Sequence, residues 1–158
     1  MVRLACLSNL RMHFCNAKGL SLVWLTLRCE VPVRFNELEG FSVSVDSVTY
    51  DPSRPAPADR PHPFIYHLSI HNESDQPVSI FGRKWIVRDS DGDTLVVEGD
   101  GVVGQFPRLE PGETFSYNSY HVIKAESTAS GSFFGKTDQG KPVCAKIPDF
   151  DMTPPLLA

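Results

Sequence analysis

Three clusters of residues have types and spacings that could hold a ligand. Gly99-Asp100-Gly101-Val102-Val103-Gly104 matches G-x-G-x-x-G, the spacing with which dinucleotide folds bring backbone N–H groups close to a pyrophosphate, and Arg83 and Lys84 would neutralise a phosphate if they lie beside it. That chemistry needs a helix starting after the glycines and an acidic ribose partner about 20 residues on. Gln105-Phe106-Pro107 follows instead, with Pro111 soon after, so a phosphate would have to rest on a nest of loop N–H groups and face repulsion from Asp100. The simpler expectation is that Gly99, Gly101 and Gly104 supply positive φ or close backbone approach where a strand bends or changes sheets.

Asp89-Ser90-Asp91-Gly92-Asp93 resembles the opening of a calcium-binding loop, but its register fails: glycine falls at the fourth position instead of the sixth, and the twelfth is Asp100 rather than a bidentate glutamate. A type I′ hairpin turn on Asp91-Gly92 is expected, with direct divalent-cation binding by the carboxylates as an alternative. His67 and His71 share one face of a strand and could gather with His121, yet positions four apart on a strand lie about 13 Å from each other, too far to share a zinc. No metal site or cofactor is therefore assigned. Catalytic patterns such as G-x-S-x-G, H-E-x-x-H and the P-loop are missing, and Ser119, His121 and Asp149 carry no mark of a triad, so an enzyme is not expected.

The elements that position these residues read as strands. From Phe41, apolar Phe41, Val43 and Val45 alternate with Ser42, Ser44 and Asp46; the stretch Asp51 to Pro63, Pro63 included, holds five prolines, which force a surface connection. Phe64, Tyr66, Leu68 and Ile70 alternate with His67, Ser69 and His71, and Asn72 to Pro77 turns the chain. Val78 to Arg88, Leu95 to Val97, Thr114 to Val122 and Lys141 to Ile147 continue the pattern, separated by Asp-Gly, Pro-Gly and Gln-Gly turn signals. About seven short strands without a helix give an all-β, antiparallel immunoglobulin- or fibronectin III-like sandwich over residues 41–155, with Tyr66, Trp85, Phe115 and Tyr117 inside.

Residues 1–40 lack clean periodicity and read as an N-terminal extension, poorly ordered or preceding the true start. Their apolar run Leu20 to Leu27 is shorter than the roughly 20 residues a membrane helix needs, and no small-x-small cleavage pattern follows it, so neither membrane insertion nor secretion is expected. The 158 residues carry a formal charge of −4 with no Lys/Arg run, which excludes a nucleic-acid footprint. Three of the 4 cysteines (Cys6, Cys15 and Cys29) fall in the extension and only Cys144 in the body; this is neither a disulfide framework nor a zinc pattern, and it places the chain in a reducing cytoplasm.

Specific residues then go further than periodicity. Arg83-Lys84-Trp85, the run Gly99 to Pro107, Pro111-Gly112-Glu113 and Ile147-Pro148-Asp149-Phe150, together with Phe64, Tyr66, Ile70 and Asn72, resemble the ApaG family in its own order. The resemblance implies a fibronectin-like sandwich, free-standing in bacteria and appended to some eukaryotic F-box and polymerase-interacting proteins. It also implies a link to Mg²⁺ and Co²⁺ homeostasis and to protein recognition. Lys84 stands where the family usually has His and Phe133 where it has Met, and the short Gly135–Gly140 interval implies a shortened penultimate strand. The reading is a non-enzymatic binding module for another protein, through Arg83, Trp85, Gly99, Gly101, Gly104, Phe106 and Pro107, with Phe106 or Tyr120 as anchor. Its alternative is an anion, nucleotide or pyrophosphate held at the same glycines.

Overall fold

The computed structural model describes residues 33–155, so the extension expected over residues 1–40 lies almost wholly outside them. The described chain is built of strands: β1 (Asn36–Glu37), β2 (Phe41–Tyr50), β3 (His62–Asn72), β4 (Val78–Asp89), β5 (Thr94–Asp100), β6 (Arg108–Leu109), β7 (Glu113–Ile123), β8 (Ser127–Thr137) and β9 (Pro142–Met152). Among the described residues no helix is long and apolar enough to cross a membrane.

Two sheets face each other as an antiparallel sandwich. The larger runs β1-β9-β8-β4-β5, with β6 pairing β4, and the smaller runs β2-β3-β7. Only β1 and β9 pair in parallel; the other neighbours are antiparallel. Strand alternation puts Tyr66, Leu68 and Ile70 of β3 against Ile80, Trp85 and Val87 of β4 and Phe133 of β8, all buried. Trp85 sits at the centre, its ring 5.1 Å from Tyr66, 4.8 Å from His121 and 5.9 Å from Phe150. Each such ring removes on the order of 150–250 Å² from water, which makes this cluster the main apolar contribution to the fold.

Four details differ from what alternation and turn signals suggest. Strand pairing starts at Asn36, ahead of the boundary drawn at Phe41, because Asn36 and Glu37 pair with Val143 and Cys144. Pro63 is not in the surface connection but is the second residue of β3 and fully buried, a place near a strand start where a missing N–H is tolerated. The penultimate strand is not shortened: β8 and β9 each have 11 residues and are joined by a short turn between Thr137 and Pro142. Asp91-Gly92 is no type I′ turn, since positive φ occurs at Gly92 alone. The Asp89 carboxylate accepts from the N–H groups of Asp91 and Asp93, at 3.1 and 2.9 Å, and holds a wider turn with glycine at the left-handed position.

Candidate functional site

A bulge in β4 decides where Arg83 points. Register shifts between Ile80 and Gly82 against β8, so Phe81 is an extra residue, and Arg83, which strict alternation from Ile80 would send to solvent, pairs beside the buried Phe133 on the inner face. From there its Nη1 donates to the carbonyls of Asp100 and Gly101, at 2.9 and 3.0 Å. Gly99 lies under the same guanidinium: a Cβ there would come 3.1 Å from it. Arg83 and the glycine loop are thus brought together, and the Nη1 of the arginine is engaged by backbone carbonyls of the loop.

Three of the loop's own N–H groups are also used. The Gly101 N–H donates to the Phe81 carbonyl (2.8 Å), and Val102 and Gln105 exchange both N–H···O bonds (2.7 and 3.0 Å). Val103 and Gly104, at φ 48° and 78°, are the two central residues of that exchange. This is the type I′ hairpin geometry, found at Val103-Gly104 instead of Asp91-Gly92. Gly101, at φ 57°, has no room for a side chain, since a Cβ would stand 2.2 Å from the Gln105 carbonyl oxygen. Val102 plugs the core, while the Pro107 carbonyl accepts from the Ile80 N–H at 2.8 Å. The pattern G-x-G-x-x-G here builds a tight, latched hairpin, and its N–H groups at Gly101, Val102 and Gln105 have carbonyl partners.

What the loop exposes is apolar. Phe106 is 64% and Val103 51% accessible, and Phe81 stands half-exposed nearby on the bulge. A β-branched residue in the left-handed region is strained, at a cost of roughly 1–2 kcal/mol. Trp85, expected among the contact residues, is 2% exposed and belongs to the core. Tyr120 projects from the outer row of β7 and is exposed.

The other clusters resolve differently. The Lys124 ammonium lies 3.3, 3.4 and 2.8 Å from the carboxylates of Asp89, Asp91 and Asp93, so a lysine occupies the place a divalent cation would take. The histidines fall on opposite faces of the smaller sheet. His67 and His71 lie outside, bonded to Ser47, Ser44 and Thr114, while His121, paired with Phe64, points inward. Burial pushes the His121 imidazole down to about 4. Its Nε2 and the Tyr117 hydroxyl are buried without a hydrogen-bond partner among the described residues. Sequence reasoning missed Val103 and Lys124: nothing local marks a strained valine, and the lysine comes from a strand end 31 residues beyond Asp93.

Comparison with known proteins agrees with the resemblance read from the motifs. The family model described as the ApaG domain matches residues 52–137. A "Protein ApaG" of Anaeromyxobacter dehalogenans is 38% identical over 118 residues, covering 74% of this chain and 92% of that one. A "Protein ApaG" of Aromatoleum aromaticum is 30% identical over 122 residues, covering 76% and 96%. Among solved structures, a Bordetella pertussis protein assigned as ApaA superposes with a TM-score of 0.63 at 31% identity, over 78% of this chain and 100% of that one.

Proposed function

The chain belongs to the ApaG family, and from that premise we propose that it is a non-enzymatic module that recognises another protein through the Gly99–Pro107 loop. The observation that carries this is Val103: a β-branched residue held at φ 48° and half-exposed at the tip of a latched hairpin, beside the exposed Phe106. Strain and exposed apolar area both cost stability, and they persist together where a surface has another use. Rigid aromatic and aliphatic anchors on a pre-set loop bind with little ordering cost. The family's link to Mg²⁺ and Co²⁺ homeostasis would then be exerted through the partner, in a cytoplasm where the free Cys144 thiol stays reduced.

The anion and divalent-cation alternatives are less favoured, because Arg83 Nη1 and the N–H groups of Gly101, Val102 and Gln105 are bonded to carbonyls and the Lys124 ammonium already sits among the three aspartates. Two measurements test the reading. Val103→Asn should stabilise the fold by about 1 kcal/mol in urea unfolding, since asparagine tolerates the left-handed region; Val103→Asn with Phe106→Ser should abolish capture of partners from cell extract. Calorimetric titration with Mg²⁺, Co²⁺, ATP and pyrophosphate at two salt concentrations should give no saturable heat. Pyrophosphate heat that weakens with salt would move the assignment to the anion.

A further inference from the structure

The two layers of the sandwich are unequal, and the inequality leaves a ledge. Trp85 and Val97 are paired across β4 and β5 and so point to the same side, yet Trp85 is 2% exposed and Val97 39%. The covering sheet therefore ends above β4, where His121 of β7 touches Trp85; on the inward row of β5, Leu95 packs against the core and Gly99 lies under Arg83, while Val97 between them stands uncovered among the described residues. Beside that ledge runs the edge of β7, which no strand among the described residues pairs.

That edge lacks the usual protections against strand addition. β2, the opposite edge of the same sheet, has a bulge at Asp46 and lies against β9. β1 has 2 residues, and β5 carries the exposed Glu98 and Asp100. β7 has 11 residues in unbroken register with β3, without proline, lysine, arginine or bulge. Its outward row ends two lines of hydrogen bonds that cross the sheet, Ser44–His71–Thr114 and Asp46–Ser69–Ser116.

We infer that β7 accepts an extended segment of a partner protein as a fourth strand of the smaller sheet, lying over Val97 of β5. The segment's inward side chains are apolar, resting on Leu95, Val97 and Phe115; those between carry hydroxyl or amide groups and continue the polar lines from Thr114 and Ser116. A second copy of this chain does not fit. Antiparallel pairing of two β7 strands would drive each β5 into the place of the other copy's β4, and parallel pairing would turn the polar outward row onto Val97.

The inference rests on the reading of the domain as a protein-binding module but concerns a different surface, so the two can fail separately. The probe is a displayed library of random linear peptides of roughly twelve residues, about twice a common strand length, panned on the full chain. Selected peptides should alternate apolar and polar residues and slow hydrogen exchange at every second β7 amide, leaving β2 unchanged. Val97→Asp should weaken them at least tenfold; Val96→Asp, on the opposite face of the same strand, should leave them unaffected. No enrichment, protection away from β7, or a concentration-dependent dimer through β7 would overturn the inference. So would binding that survives Val97→Asp but is lost in Phe106→Ser, an outcome that leaves the loop reading standing.

Discussion

At one end of β5 the Asp89–Asp93 loop gathers three carboxylates, and at the other the Gly99–Pro107 loop turns two carbonyls toward an arginine. The first carries the pattern of a cation site and the second that of an anion site. In both, the chain answers its own motif: Lys124 from the end of β7 stands where a cation would, and the loop carbonyls take the Arg83 donor that an anion would need. The difference lies in depth. Lys124 and Asp93 meet at the surface, where solvent screens the pair, while Arg83 reaches out from the inner face to a loop whose Val102 is buried. A ligand-type motif can thus be closed internally, and the closure matters structurally only where it is part of the core.

Breaking the glycine loop should have the largest effect. Gly101→Val forces a Cβ into the Gln105 carbonyl at positive φ and should destabilise by on the order of 4 kcal/mol in urea unfolding, the range of severe backbone strain. Acidification sharpens the comparison by acting on neither loop. His121 is held neutral down to about pH 4 while the unfolded chain takes up its proton near the ordinary value of 6.5. Stability should therefore fall as pH drops through that window, by at most about 3 kcal/mol, and His121→Phe should flatten the fall.

Arg83→Ala leaves the Asp100 and Gly101 carbonyls without their donor and should cost about 2 kcal/mol, read as a lower urea midpoint at an unchanged slope. Lys124→Gln should barely move Tm, yet it uncovers three carboxylates within one loop. Weak saturable heat with millimolar Mg²⁺ or Ca²⁺, missing in the unaltered protein, is the expected signature. If that variant were to destabilise as much as Arg83→Ala, the contrast between the two loops would be wrong.

Much of the sandwich was legible in the residues. Alternation placed Tyr66, Leu68 and Ile70 inside and His67 and His71 outside, because a strand's period of two is set locally. Arg83 was not legible in this way: one extra residue at Phe81 flips every later side chain, and no propensity marks a bulge. The type I′ turn went to Asp91-Gly92 on composition, but the Asp89 carboxylate favours another turn there, and Val103-Gly104 takes the primed geometry because Val102 and Gln105 pair across it. That β7 is an unprotected edge could not be read either, since edges belong to the topology and not to any one strand's residues.

The parallel seat of β1 on β9 has a mechanical consequence. Asn36 lies beside Val143 at the start of β9, whereas Met152 ends the same strand nine residues on, roughly 30 Å away at about 3.3 Å per residue. Chain arriving at Asn36 and chain leaving Met152 therefore attach at opposite poles. A pull between them would run along the strands and load the β8–β9 ladder in shear, so that its bonds would share the force instead of parting one by one.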